Sequence, residues 1–216
     1  MNLPSGAEAR ATNELGGRAV VCVNGGRRAL RPGTWSASLE WLVKRLAPSF
    51  PRIGFLEVRY RIKSWQVLSD CIQDCREAIE ASGAGEVALV GFSMGGAVAI
   101  AAASHRAVTT VIGLAPWIPD RLDVSGLRGR RIAIAHGSFD GFLPGVPGVS
   151  PRSSLRGFRR IRGLGIDATR TVVRGGVHGL AVRSPGGRLI PLPRAGRFAE
   201  LVSAELDWFQ TAPLDL

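Results

Sequence analysis

Ser93 lies in Gly91-Phe92-Ser93-Met94-Gly95, a serine with glycine two residues before it and two after. Val87 to Val90, apolar and partly β-branched, precedes it and reads as a strand buried on both faces. The small residues from Ala97 to Ala103 read as a tightly packed helix. This order puts Ser93 on a sharp strand-to-helix turn, where the serine must take up a strained backbone conformation. Side chains at 91 and 95 would collide across such a turn, so glycine is required there. The hydroxyl is left exposed above a helix N-terminus whose free N–H groups can bind a developing oxyanion. The chemistry on offer is nucleophilic attack on an acyl carbonyl. The alternative, a glycine-rich turn whose serine only caps the helix, leaves the paired glycines unexplained.

A serine hydroxyl attacks effectively only when a base takes its proton, and a base working near neutrality points to histidine. The chain has three histidines. His105 ends the helix after Ser93, on the far side from the turn. His136 closes the apolar run Arg131–Ala135 in a His-Gly pair. His178 stands in a loop flanked by glycines at 175, 176 and 179. A carboxylate must then orient the imidazole, and Asp140, Asp120 and Asp123 are the candidates near strand ends.

The strand, the pentapeptide, the further Gly96 and the small-residue helix together resemble the nucleophile elbow of the α/β-hydrolases. The resemblance covers about Ala19 to Phe209, and the elbow is its most specific part. It implies the chain order serine, acid, histidine, which makes His178 the base and Asp140 the acid. Asp120 and Asp123 are rivals, because some members place the acid one strand earlier. His136-Gly137 is then a pair that fixes backbone near the acid. Met94 supplies one oxyanion N–H. Asn24-Gly25-Gly26 resembles the H-G-x loop that supplies the second, with Asn in place of His. Gly26 is the donor by that alignment and Arg27 the alternative; a plain tight turn is the simpler reading. The chain is similar to compact esterases and dienelactone-hydrolase-like proteins, though the cysteine nucleophile of the latter is Ser93 here.

Strands and helices alternate around these residues. Ala19–Val23, Ile53–Tyr60, Val87–Val90, Val108–Leu114, Arg131–Ala135 and Thr171–Val173 read as strands. Helices are expected over 35–46, 69–81, 97–103, 150–162 and 198–209, and Leu180–Pro193 reads as a small hairpin. The fold class is α/β, a mostly parallel sheet of about six strands with helices on both faces. Only residues 118–130 separate the strand after the Ser93 helix from the next one, which leaves no room for a cap domain and predicts an open site. Loops at the carboxyl ends of parallel strands border the site in such sheets, so Arg27, Arg59, Arg61, Trp65 and Trp117 are candidates for its pocket, with a solvated rim the alternative for Arg59, Arg61 and Trp65. Residues 1–17 read as a loose, flexible leader, followed by a single domain over 18–212.

Composition narrows the function further. At 216 residues the chain can bury a real core. The formal charge is +11, and apart from Lys44 and Lys63 every basic residue is arginine. The arginines are scattered rather than gathered on one face between aromatics, so no nucleic-acid partner is expected. Coding bias explains them most simply; attraction of anionic substrates is the alternative. No apolar run approaches a membrane span, and no apolar signal region opens the chain, so a cytoplasmic location is expected. Cys22, Cys71 and Cys75 make neither a disulfide framework nor a zinc site. The expected protein is a serine hydrolase acting on a small-molecule acyl substrate without metal or cofactor. Acyl transfer or thioester cleavage on the same residues, and a non-catalytic binding role, are the alternatives.

Overall fold

The computed structural model describes residues 1–141 and 148–212. Seven strands form one sheet in the order β1-β3-β2-β4-β5-β6-β7. They are β1 (Glu8–Thr12), β2 (Arg18–Val23), β3 (Gly54–Arg59), β4 (Glu86–Phe92), β5 (Val108–Leu114), β6 (Arg131–Gly137) and β7 (Ala168–Val173). All neighbours run parallel except β1, which pairs antiparallel with β3. Among the described residues five helices cover the sheet: α1 (Ala37–Leu46), α2 (Leu68–Ser82), α3 (Met94–Ala102), α4 (Pro151–Gly163) and α5 (Ala195–Thr211). A separate hairpin, β8 (Ala181–Arg183) and β9 (Leu189–Pro191), occupies the expected 180–193 segment.

Central strands buried on both faces explain the continuous apolar runs. On β2, Ala19, Val21 and Val23 face the core shared with α2, α3 and α4, while Val20 and Cys22 face the core shared with α1 and α5. Val87 and Leu89 alternate with Ala88 and Val90 in the same way on β4. All three cysteines are free and buried; Cys71 and Cys75 pack on the inner face of α2. The helices start and stop on local chemistry. Ser36 caps α1 by accepting the Leu39 N–H, Ser150 caps α4 by accepting the Ser153 N–H, and Gly83 ends α2 at φ +63°.

Residues 1–17 depart from the loose leader expected of them, and β1 is the seventh strand beyond the six expected. Its signal is faint because the buried positions 7 and 9 are alanines, too small to mark an alternation among polar neighbours. Charge holds this edge strand in place. Arg10 bonds Glu57 on β3 through Nε (2.9 Å) and Glu40 on α1 through Nη2 (2.7 Å), and its guanidinium lies 4.4 Å over Trp35. Lys44 and Arg183 also converge on Glu40, both within hydrogen-bond distance.

Burial pushes the Glu40 carboxyl up, but the bonds from Arg10, Lys44 and Arg183 outweigh it and hold the group at about 2. Glu57, with burial dominant, is raised instead. The Glu40 contribution is therefore complete above its unfolded range near 4.5 and lost as pH falls toward 2. Glu40→Gln is expected to lower unfolding free energy by about 2 kcal/mol at pH 7, the scale of charged hydrogen bonds left unmade. That corresponds to a Tm drop of roughly 4–8 °C in a domain of this size. Urea melts of both proteins at pH 7 and pH 3 check it, since the gap must narrow at the lower pH.

Between β2 and β4 the sheet reverses its winding. The chain leaves β2 toward β3 on one side, and leaves β4 toward β5 on the other. The carboxyl ends of these two neighbours therefore open a crevice, the usual ligand position in an open α/β sheet. Residues 115–130, between β5 and β6, hold only a short helical turn at Ser125–Leu127, so no cap domain is inserted there.

Candidate active site

The crevice is built around the end of β4. Ser93 has φ +57° and ψ −117°, a conformation that L residues seldom adopt. Backbone contacts hold it there: the Ser93 N–H donates to Leu114 O (3.0 Å), and Ser93 O accepts N–H groups from Gly96 and Trp117, each at 2.9 Å. The glycines are needed for space. A Cβ on Gly91 would lie 2.3 Å from Gly95 O, one on Gly95 would lie 2.1 Å from Val23 O, and one on Gly96 would lie 2.4 Å from Pro116 Cβ. Ser93 makes no side-chain cap on α3. Its Oγ instead lies 3.0 Å from His178 Nε2.

His178 Nδ1 lies 2.8 Å from Asp140 Oδ2. Asp140 is fully buried, and its Oδ1 accepts the Val149 N–H at 2.9 Å. Loops after β6 and β7 bring acid and imidazole together by lacing into each other. Ser138 N–H donates to Val173 O, Phe139 N–H to Gly176 O, and Gly175 N–H to Ser138 Oγ. A Cβ on Gly137 would fall 2.4 Å from Gly176 O, so the crossing demands glycine. Ser38 on α1 anchors the far side, its Oγ accepting N–H groups of Leu180 and Ala181. Phe92 packs on the imidazole with ring centroids 5.0 Å apart.

His136 and Ser38 are the participants that sequence reasoning underrated. His136 is fully buried; its Nε2 lies 2.7 Å from Val149 O and 3.4 Å from Asp140 Oδ2. Burial pushes its imidazole below the usual range despite the nearby carboxylate, so the ring is neutral and its Nε2–H donates to Val149. The same residue, Val149, thus holds Asp140 through its amide and His136 through its carbonyl. The His-Gly pair at the strand end was the visible signal for His136. A lone serine on a helix gives none for Ser38.

Asp120 and Asp123 are engaged elsewhere. Asp120 is exposed beside Arg160, and Asp123 accepts bonds from the backbone and hydroxyl of Ser125. His105 closes a turn after α3, accepting the Ala107 N–H.

Met94 N–H is the first peptide of α3, one of the donors that a helix start leaves without an intrahelical acceptor. Gly26 faces it closely enough that a Cβ there would sit 2.1 Å from Met94 Sδ. Asn24 shapes this loop. Its Oδ1 occupies the Gly25 N–H, its Nδ2 reaches Thr34 O, and Tyr60 OH donates to Asn24 O. Among the described residues the Gly26 N–H has no acceptor.

A cavity of about 310 Å³ opens at Ser93, lined by Gly26, Trp65, Met94, Trp117, Gly148 and Val149. Trp65 and Trp117 lie in its wall, whereas Arg59 pairs with Glu8 and Arg61 with Asp70 and Asp74 outside the lining. Arg27 does not line the cavity; it is exposed, and its carbonyl accepts the Trp65 N–H. The glycines and prolines of 141–149 predict a loop, which lies largely outside the described residues. Larger clefts, one of about 470 Å³ between β7 and α5 and one of about 550 Å³ beyond the ends of α2 and α3, reach neither Ser93 nor His178. Among the described residues no helix is long and apolar enough to cross a membrane.

Residues 20–214 match the model of the alpha/beta hydrolase family. Solved structures resemble the chain at low identity. Est1E from Butyrivibrio proteoclasticus, solved with ferulic acid bound, is 12% identical with a TM-score of 0.66, covering 95% of this chain and 96% of its own. The esterase EaEST from Exiguobacterium antarcticum is 15% identical with a TM-score of 0.67, over 95% and 98%. An uncharacterized Bacillus cereus protein is 14% identical with a TM-score of 0.62; 89% of this chain is covered, and it spans 60% of that protein's length. No curated protein sequence matches the chain.

Proposed function

This chain belongs to the alpha/beta hydrolase family, and from that premise we propose that it is a serine hydrolase cleaving an ester or related acyl bond. The reading is carried by the continuous path from Ser93 Oγ through His178 to Asp140, with steps of 3.0 and 2.8 Å. In this reading Ser93 is the nucleophile, His178 the general base and acid, and Asp140 the group that orients the imidazole and stabilises its charged form. Ser93 Oγ attacks the acyl carbonyl as its proton moves to His178 Nε2. The resulting oxyanion is held by the N–H groups of Met94 and Gly26. His178 then gives the proton to the departing oxygen as the bond to it breaks, leaving an acyl group on Ser93. A water molecule, deprotonated by His178, attacks that acyl group and releases the acid, which restores the serine. Two tryptophan walls and a volume of about 310 Å³ suit a short or aromatic group beside the scissile bond.

Activity-based labelling tests the reading most directly. A fluorophosphonate probe reacts only with an activated serine, so the expected result is one adduct, located by mass spectrometry on the peptide holding Ser93. A folded protein that takes no label rejects the catalytic reading and favours a hydrolase fold used for binding.

A further inference from the structure

Next to the cavity in the chain, on either side of Gly26 and Trp65, stand several cations that no acid pairs among the described residues. Residues 27–33 and 60–65 are laced together by Trp65 N–H to Arg27 O (3.2 Å), Lys63 N–H to Arg31 O (2.8 Å) and Ser64 Oγ to Arg28 O (2.9 Å). They touch so closely that a Cβ on Gly33 would lie 1.7 Å from Tyr60 O. This two-segment platform carries Arg27, Arg28, Arg31 and Lys63. Among the described residues none of the four has a carboxylate partner; the Lys63 ammonium donates only to Thr34 Oγ1. Arg59, at the end of β3, and Arg61, on the second segment, differ. Arg59 pairs with Glu8, and Arg61 with Asp70 and Asp74.

Like charges held together without an acid raise each other's energy, and the repulsion is felt here. Burial and the Arg27 charge together lower the Lys63 ammonium. The platform also meets the cavity. Gly26 precedes Arg27 in the chain, Trp65 is bonded to the Arg27 carbonyl, and both line the space over Ser93. Among the described residues none that lines that space is charged.

From this juxtaposition we infer that the substrate of Ser93 carries an anionic group, a carboxylate or a phosphate, which Arg27, Arg28, Arg31 and Lys63 bind at the cavity mouth. An apolar part of the same molecule fills the cavity beside the scissile bond. The inference rests on the serine-hydrolase reading and adds a substrate class to it. Arginine side chains suit the task, because their planar forks match carboxylate and phosphate oxygens two at a time. The anion relieves the mutual repulsion of the four cations, and the positive field draws it toward the site.

Matched esters test this on either side of the scissile bond. One pair is 4-nitrophenyl butyrate and mono-4-nitrophenyl glutarate, which differ by a carboxylate on the acyl chain. The other set is phenyl butyrate bearing a para methyl ester, carboxylate or phosphate. The readout is the ratio of kcat/KM for the anionic ester to that for its neutral match, in wild type and in the double variant Arg27→Gln, Arg28→Gln. For at least one set the wild-type ratio is expected to exceed that of the variant by on the order of tenfold at low ionic strength. The excess must shrink in 0.5 M salt, since exposed charges are screened over about 3–5 Å there. The carboxylate and phosphate arms tell which anion is preferred. Equal ratios in the two proteins in every set overturn the inference. If wild type cleaves no ester, the hydrolase reading fails separately, and calorimetric titration with 4-hydroxybenzoate and phenyl phosphate decides the anion site. Binding weakened in the double variant then supports it; equal binding, or none to wild type, overturns it.

Discussion

Ser93→Ala is expected to reduce kcat for 4-nitrophenyl butyrate by roughly 10⁴- to 10⁶-fold, with KM and Tm close to wild type. The substitution removes one oxygen whose only side-chain partner among the described residues is His178 Nε2. His178 stays in place, because Asp140 holds its other nitrogen and Phe92 packs on its ring. The elbow also stays, since its backbone bonds to Leu114, Gly96 and Trp117 do not involve the hydroxyl. Alanine bears the positive φ no worse than serine, so the strain is unchanged. Some catalysis over water is expected to survive, because the substitution leaves the proposed oxyanion donors, the Met94 and Gly26 N–H groups, unaltered. The check is steady-state kinetics beside fluorophosphonate labelling of both proteins. A variant that keeps a tenth of wild-type activity would place the nucleophile elsewhere.

The parts of this fold that could be read from sequence are those where one residue type is forced by geometry. Gly91, Gly95 and Gly96 each leave room for backbone or proline atoms within 2.4 Å of where a Cβ would stand, so no other residue fits. The buried strands were legible for a related reason: with helices on both faces, β2 and β4 must be apolar at consecutive positions. Where a position only has to be small or polar, the signal fades. β1 went unseen because its inward residues are alanines and its anchor is an arginine that bonds acids on two other elements. Arg27 is expected in the pocket because it follows the end of a parallel strand, but it is exposed outside the cavity lining, and its carbonyl accepts the Trp65 N–H. The roles of Ser38 and His136 depend on residues more than ten positions away, through partners that no local pattern announces.

This dependence on distant partners also explains how a loop site is kept rigid. Asp140 and His178 belong to different loops, yet each loop donates to the other before either side chain is considered. Asn24 fixes the loop after β2 by occupying the amide before Gly26, while the Gly26 N–H keeps no acceptor among the described residues. Rigid supports of this kind allow an electrostatic site to stabilise a transition state without first reorganising.

Asp140→Asn is expected to lower kcat by about 10⁴-fold while leaving the protein folded. The argument turns on which way the amide must face. Val149 N–H can only donate, and it points at Oδ1, so the amide oxygen must occupy that position. The NH₂ group then takes the place of Oδ2, 2.8 Å from His178 Nδ1. An NH₂ group only donates, so Nδ1 must accept and the imidazole proton moves to Nε2, facing Ser93. In that tautomer the ring offers a proton to the serine and cannot take one. The opposite orientation sets the NH₂ against the Val149 N–H and breaks that bond. Neutral His136 cannot reverse this choice, because its Nε2–H is committed to Val149 O at 2.7 Å. The loss should appear in kcat with KM little changed, and Asp123→Asn, away from the site, should stay within about twofold. Steady-state kinetics of both variants, with circular dichroism to verify folding, make the comparison. An Asp140→Asn enzyme within tenfold of wild type would mean that the imidazole takes its orientation from some other group.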